Sequence, residues 1–122
     1  MDKTELIVSG LELDNLIDDY IEVLFKRNII KEQECNAIFN SYKVHKYDIL
    51  TCSALHSYIS DLGKDDMDNL LYRYSEFYKQ KDYSVKNFFH YIIIIFRRSD
   101  DFDNCDITNQ NRMIKNIKKN LQ

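Results

Sequence analysis

The sequence has no proline, no tryptophan and only two glycines in 122 residues. A β-sandwich or barrel needs frequent tight turns, so this scarcity excludes one and leaves helices joined by Asn, Asp and Ser connections. Two glycines also cannot build a glycine-rich phosphate loop. No long apolar run is present. The most apolar window, Phe88 to Phe96, is broken by His90 and is about half the length needed to cross a bilayer. No secretory signal follows the polar start Met1-Asp2-Lys3-Thr4-Glu5. Cys35, Cys52 and Cys105 are odd in number and scattered, without the framework of a secreted domain, and read as reduced thiols of the cytosol or nucleus. A surplus of positive charge is missing too. The net charge of −3 offers no general attraction to nucleic acid or an anionic membrane.

What is there is 44% hydrophobic and 13% aromatic, enough for one domain with a core filled by Tyr and Phe rings. Usage is heavy in Ile, Asn, Lys, Tyr and Asp, the bias of an AT-rich genome such as those of many large DNA viruses. The stretch Asp19 to Ser41 organises the rest. Ile21, Leu24 and Phe25 recur at helical spacing, and Asn28 can close that helix in the left-handed conformation. Ile29 and Ile30 turn inward, and Cys35, Ile38, Phe39 and Tyr42 mark the apolar face of the next helix.

Upstream, Leu6, Ile7, Leu11, Leu13 and Leu16 are interrupted at Ser9-Gly10. The interruption predicts a first helix in two pieces, or a short arm before a helix starting near Glu12. Downstream, Ser41 to Lys46 reads as a polar connection and Tyr47 to Leu62 as one helix, with Gly63 as its left-handed cap. Asp65 or Asp66 would cap a helix through Met67, Leu70, Leu71, Tyr74, Phe77 and Tyr78. After a break at Lys79 to Asp82, Ser84 would cap a buried helix through Val85, Phe88, Phe89, Ile92 and Phe96, ending at Arg97-Arg98. Residues 1–98 form the bundle. Residues 99–122 form an acidic loop, Ser99 to Asp106, and a basic amphipathic tail that either packs as a further helix or stays loose.

The central corner from Leu24 to Glu34 resembles the junction of the second and third helices in caspase-recruitment domains, a branch of the six-helix death fold. That family shows a Leu-rich helix, a basic or Gly corner, two aliphatics and then Ser/Thr-Glu-Glu-Glu. Here Lys31 replaces the Ser or Thr. Asp61-Leu62-Gly63-Lys64 looks like the family's next turn with its order changed. The resemblance covers roughly Leu13 to Phe96. It implies an all-α, six-helix death-fold-like bundle with an extra C-terminal helical tail. It also implies a non-enzymatic, cytoplasmic module that regulates apoptotic or innate-immune signalling by homotypic contacts. With no attached protease or nucleotide-binding module, such a domain is expected to act as a decoy inhibitor, and the composition bias points to a viral one. The implied partner is the death-fold domain of a signalling adaptor or caspase, and the same contacts would allow a homo-oligomer.

Leu16-Ile17-Asp18-Asp19-Tyr20-Ile21 also resembles the opening helix of the small Bcl-fold proteins by which poxviruses inhibit apoptosis and NF-κB signalling. Those would act through a hydrophobic groove or a helical face.

In the first reading, partner binding falls to the basic corner Lys26, Arg27 and Lys31, with Lys43 and Lys46 near it. The matching acidic surface is Asp61, Asp65, Asp66 and Asp68, since opposed charge patches set partner choice. The acidic run Glu12, Asp14, Asp18, Asp19 and Glu22 reads as a solvated helix face. No catalytic, cofactor or metal site is expected. His45, His56 and His90 are far apart in sequence. Cys52 and His56 have one metal-ligand spacing but no second pair, so they read as a packed Cys beside a surface His. The tail cations Arg112, Lys115, Lys118 and Lys119 read as a wet face rather than a nucleic-acid contact.

Overall fold

The computed structural model describes residues 3–77 and 88–120, apart from the side chains at 3, 63–65, 75, 77 and 120. Among these residues the chain is an all-α bundle of six helices without a strand. They are α1 (Lys3–Lys26), α2 (Glu32–Thr51), α3 (Ser53–Asp61), α4 (Gly63–Phe77), α5 (Phe88–Arg97) and α6 (Ile107–Asn120), with a 3-10 turn at Asp100–Asn104. The expected break at Lys79 to Asp82, the cap at Ser84, and Tyr78 and Val85 lie outside the described residues, as does the Phe77 side chain.

Helix α1 is continuous, which corrects the expected interruption at Gly10. Gly10 is buried at the crossing with α2, with Lys46 Cε and Leu50 Cδ1 near the position a Cβ would take. Packing of the face Leu13, Ile17, Tyr20, Ile21 and Leu24 outweighs the intrinsic penalty of about 1 kcal/mol for one mid-helix glycine. The corner that follows is as expected at Asn28 and Ile30, whereas Ile29, expected to turn inward, is 41% exposed. Asn28 has φ 59°, and the Ile29 and Ile30 N–H groups return to the Leu24 carbonyl. Lys31 opens α2, its N–H donating to the Glu34 carboxylate at 3.0 Å.

The predicted connection at Ser41 to Lys46 is instead the middle of α2. Ser41, Tyr42 and His45 sit at helical spacing on a buried face, where the interior supplies partners. Ser41 Oγ accepts the Phe89 N–H at 3.1 Å, and Tyr42 donates to Asp14 at 2.5 Å. The helix expected over Tyr47 to Leu62 is broken at Cys52, which is extended (φ −109°, ψ 103°) and accepts the Leu55 N–H on its sulfur. Gly63 does not cap a helix C-terminus. Leu62 keeps right-handed geometry and Gly63 opens α4, so Asp65 and Asp66 fall inside its first turn.

Helix α5 lies at the centre. Phe88, Phe89, His90, Ile92, Ile93 and Phe96 are buried, Tyr91, Ile94 and Ile95 half-buried, and it packs against α2, α3, α4 and α6. A helix apolar all round is stable only inside others. Rings fill the space about it, with Tyr42–Phe89 centroids 5.5 Å apart, Tyr74–Tyr91 5.1 Å and Tyr58–Phe96 5.4 Å. The acidic loop is wound into the 3-10 turn, whose Phe102 packs edge-on against Phe96.

Helix α6 adds Met113 and Ile117 to the core and is pinned to the end of α2. Asp106 caps it by accepting the Asn109 N–H at 2.8 Å. Asn109 donates to the Thr51 carbonyl, Arg112 to the Thr51 hydroxyl and Asn116 to Asp48, while the Arg112 guanidinium lies 4.6 Å from the Tyr47 ring centre. Just before α6, Cys105 forms a disulfide with Cys52, Cα to Cα 6.0 Å. This corrects the expectation of three reduced thiols; Cys35 alone is free.

Candidate interaction surfaces

The basic corner is exposed, but two of its three cations are already paired. Lys26 meets Glu22 one turn back at 2.8 Å, both well exposed. Arg27 is bound to the carboxylate of Asp68 on α4, which is largely buried. Lys31 is exposed and carries no ion pair among the described residues. The corner and α4 therefore neutralise one another within the molecule at Arg27. Lys46 is paired with Asp14 at 3.0 Å, and Lys43 lies over the Phe39 ring. Burial pushes Asp14 up, yet hydrogen bonds from Tyr42 and Lys46 outweigh it and hold its carboxyl below the usual value.

Of the expected acidic partners, Asp61 is exposed at the end of α3, where it faces Asp101, Tyr58 and Asn104 across a cleft of about 510 Å³. Asp66 is exposed on α4 and borders a second cleft with Arg73 and Tyr72. The Asp65 side chain lies outside the described residues.

The interior holds a group that sequence spacing did not connect. His45 of α2 and His90 of α5 meet edge to face with ring centres 5.9 Å apart, both at most 2% exposed. Asp48 lies 3.9 Å from His45 Nδ1, and Arg112 Nε 4.0 Å from Asp48. Among the described residues, neither ring nitrogen of His90 finds a hydrogen-bond partner. Burial, reinforced by His45, lowers the His90 pKa to about 4, so the ring is neutral in the fold. Helical spacing alone places His45 and Asp48 on one face of α2, which was the available signal. The pairing with α5 is tertiary. Among the described residues, no group of three or more His, Cys, Asp or Glu is arranged to hold a metal ion. The Cys52 sulfur, one half of the spacing considered for a metal, is bonded to Cys105.

A different surface stands out on α1. Ile7, Val8 and Leu11 are 65%, 50% and 61% exposed, side by side on its outward face. In the sequence Ile7 and Leu11 stand among the apolar residues of the first helix with nothing to assign them a side, because an apolar residue carries no mark of which face is covered. Further along that face stand Glu12, Asp18 and Asp19, exposed and without an ion pair among the described residues.

Compared with protein families, curated proteins and solved structures, the chain matches none of them. Among the described residues no helix is long and apolar enough to cross a membrane.

Proposed function

We propose that this chain is a non-enzymatic, cytoplasmic interaction module. It regulates apoptotic or innate-immune signalling, as a viral inhibitor, by presenting a helical face to a partner protein. That is the mode implied by its likeness to poxviral Bcl-fold proteins. One observation carries the reading: the N-terminal half of α1 exposes Ile7, Val8 and Leu11 together, while the same helix buries a full apolar face on its other side. Contiguous exposed apolar residues on a helix whose opposite face is buried mark contact surfaces.

The second reading is homotypic docking as a caspase-recruitment-like decoy, with an adaptor or caspase death-fold domain as partner. Lys31, Asp61 and Asp66 favour it, being exposed and unpaired among the described residues. The internal Arg27–Asp68 pair weighs against it, since a partner's carboxylate would have to displace Asp68.

A signalling reporter in stimulated cells separates the two. Val8→Asp should abolish suppression of the reporter at unchanged protein level, and Lys31→Glu should leave it intact. Loss with Lys31→Glu alone would select the charged corner, and a reporter untouched by the wild-type chain would reject both.

A further inference from the structure

Two rows run along the outward face of α1, and both change character midway. One is Ile7, Leu11 and Asp18; the other is Val8, Glu12, Asn15 and Asp19. At 3.6 residues per turn each row stays on one side of the helix for about three turns. The first two turns offer apolar surface. The next two offer carboxylates.

These carboxylates differ from the others on α1. Asp14 is engaged by Tyr42 and Lys46, and Glu22 by Lys26. Glu12, Asp18 and Asp19 face solvent with no cation beside them among the described residues. Leaving them unpaired brings no benefit to this fold, because Asp18 and Asp19 each stand one turn from Glu22, where like charges repel.

We propose that this face docks a basic amphipathic helix of a partner protein, laid along α1. Its apolar anchors rest on Ile7, Val8 and Leu11, and its Lys or Arg residues two turns further on meet Asp18 and Asp19, with Glu12 between the two sets. The proposal rests on the helical-face reading above and names the partner's chemistry. Spacing sets the match. Leu11 and Asp18 are two helical turns apart, about 11 Å along the axis, so the partner's cations lie seven or eight residues from its anchors. An anionic lipid surface is disfavoured by the same carboxylates. A second copy of this chain would bring an equally acidic α1 and leave the charges unmet. Arg is the better cation at such a site, since its fork can bridge two carboxylate oxygens.

The test uses a fluorescent synthetic helix of about 18 residues, Ala-rich, with Leu on two adjacent turns and Arg seven and eight positions on. A twin carries Glu in place of Arg. Anisotropy titrations with the whole chain should give micromolar binding for the Arg probe and at least tenfold weaker binding for the twin. Val8→Asp and the double variant Asp18→Lys/Asp19→Lys should each weaken the Arg probe at least tenfold, with unchanged circular dichroism. Higher salt should lower the affinity. Three outcomes overturn the proposal: equal binding of both probes, binding indifferent to the α1 variants, or a sedimenting dimer of the chain alone that Val8→Asp dissolves, which would assign the face to a second copy. A reporter that depends on Val8 with no probe binding would reject the partner class and keep the signalling role. Probe binding as expected with an indifferent reporter would keep the surface and reject that role.

Discussion

His90 shows how much one residue can set the behaviour of this fold. Its ring sits at the α2–α5 contact, with no hydrogen-bond partner for either nitrogen among the described residues and a second imidazole beside it. The unfolded chain takes up a proton there near the ordinary value of 6.5, whereas the folded chain resists until about 4. Because the unfolded state binds more protons in that window, its stabilising effect is complete above about 6.5 and is lost as pH falls toward 4. The full span corresponds to about 3 kcal/mol at 1.36 kcal/mol per pH unit. Denaturant midpoints across that range should therefore fall with pH in the wild type and be much flatter in His90→Leu. Parallel pH profiles would mean His90 has a partner in solution. The Asp14 contribution, whose carboxyl is held low, is lost only at still lower pH, below its ordinary 3.8.

At the scale of elements, the C-terminal segment belongs to the bundle through three kinds of tie. Met113 and Ile117 bury apolar surface, Asn109, Arg112 and Asn116 bond to the end of α2, and the disulfide closes 53 residues of chain between Cys52 and Cys105. Loop closure of that length is worth about 4 kcal/mol in the chain-entropy account. Cys105→Ser should lower the unfolding free energy by several kcal/mol while α6 keeps its helicity, because the polar ties remain. A thiol titration of the unfolded, unreduced protein should find one reactive group, Cys35. Three groups would show that the pair is reduced.

The same scale shows what could be read from the sequence. The Asn28 corner and the buried α5 were legible because each rests on a local property, one left-handed residue in the first case and an apolar window interrupted only at His90 in the second. The interior of α2 was not. Ser41, Tyr42 and His45 look like a connection until α1 and α5 supply their surroundings. Cys52 hides its break for a related reason, since it and its disulfide partner are 53 residues apart. Gly10 misled in the opposite direction, because a propensity near 1 kcal/mol yields to a packed face.

For the whole molecule, the question is which surface faces a partner. The corner at Lys26, Arg27 and Lys31 was legible as charge, but its pairing with Asp68 was not, since it joins helices far apart in sequence. The outward face of α1 was legible as residues and not as a surface, because exposure depends on what the other helices leave uncovered. The most direct measurement places a photo-crosslinking side chain at position 8 or position 31 of the whole chain in stimulated cells. Exposed substitutions of this kind change stability by about 0.5 kcal/mol or less, so both variants should fold. The account predicts a discrete adduct with another protein from position 8 and none from position 31. An adduct from position 31 alone would contradict it and place the contact at the charged corner.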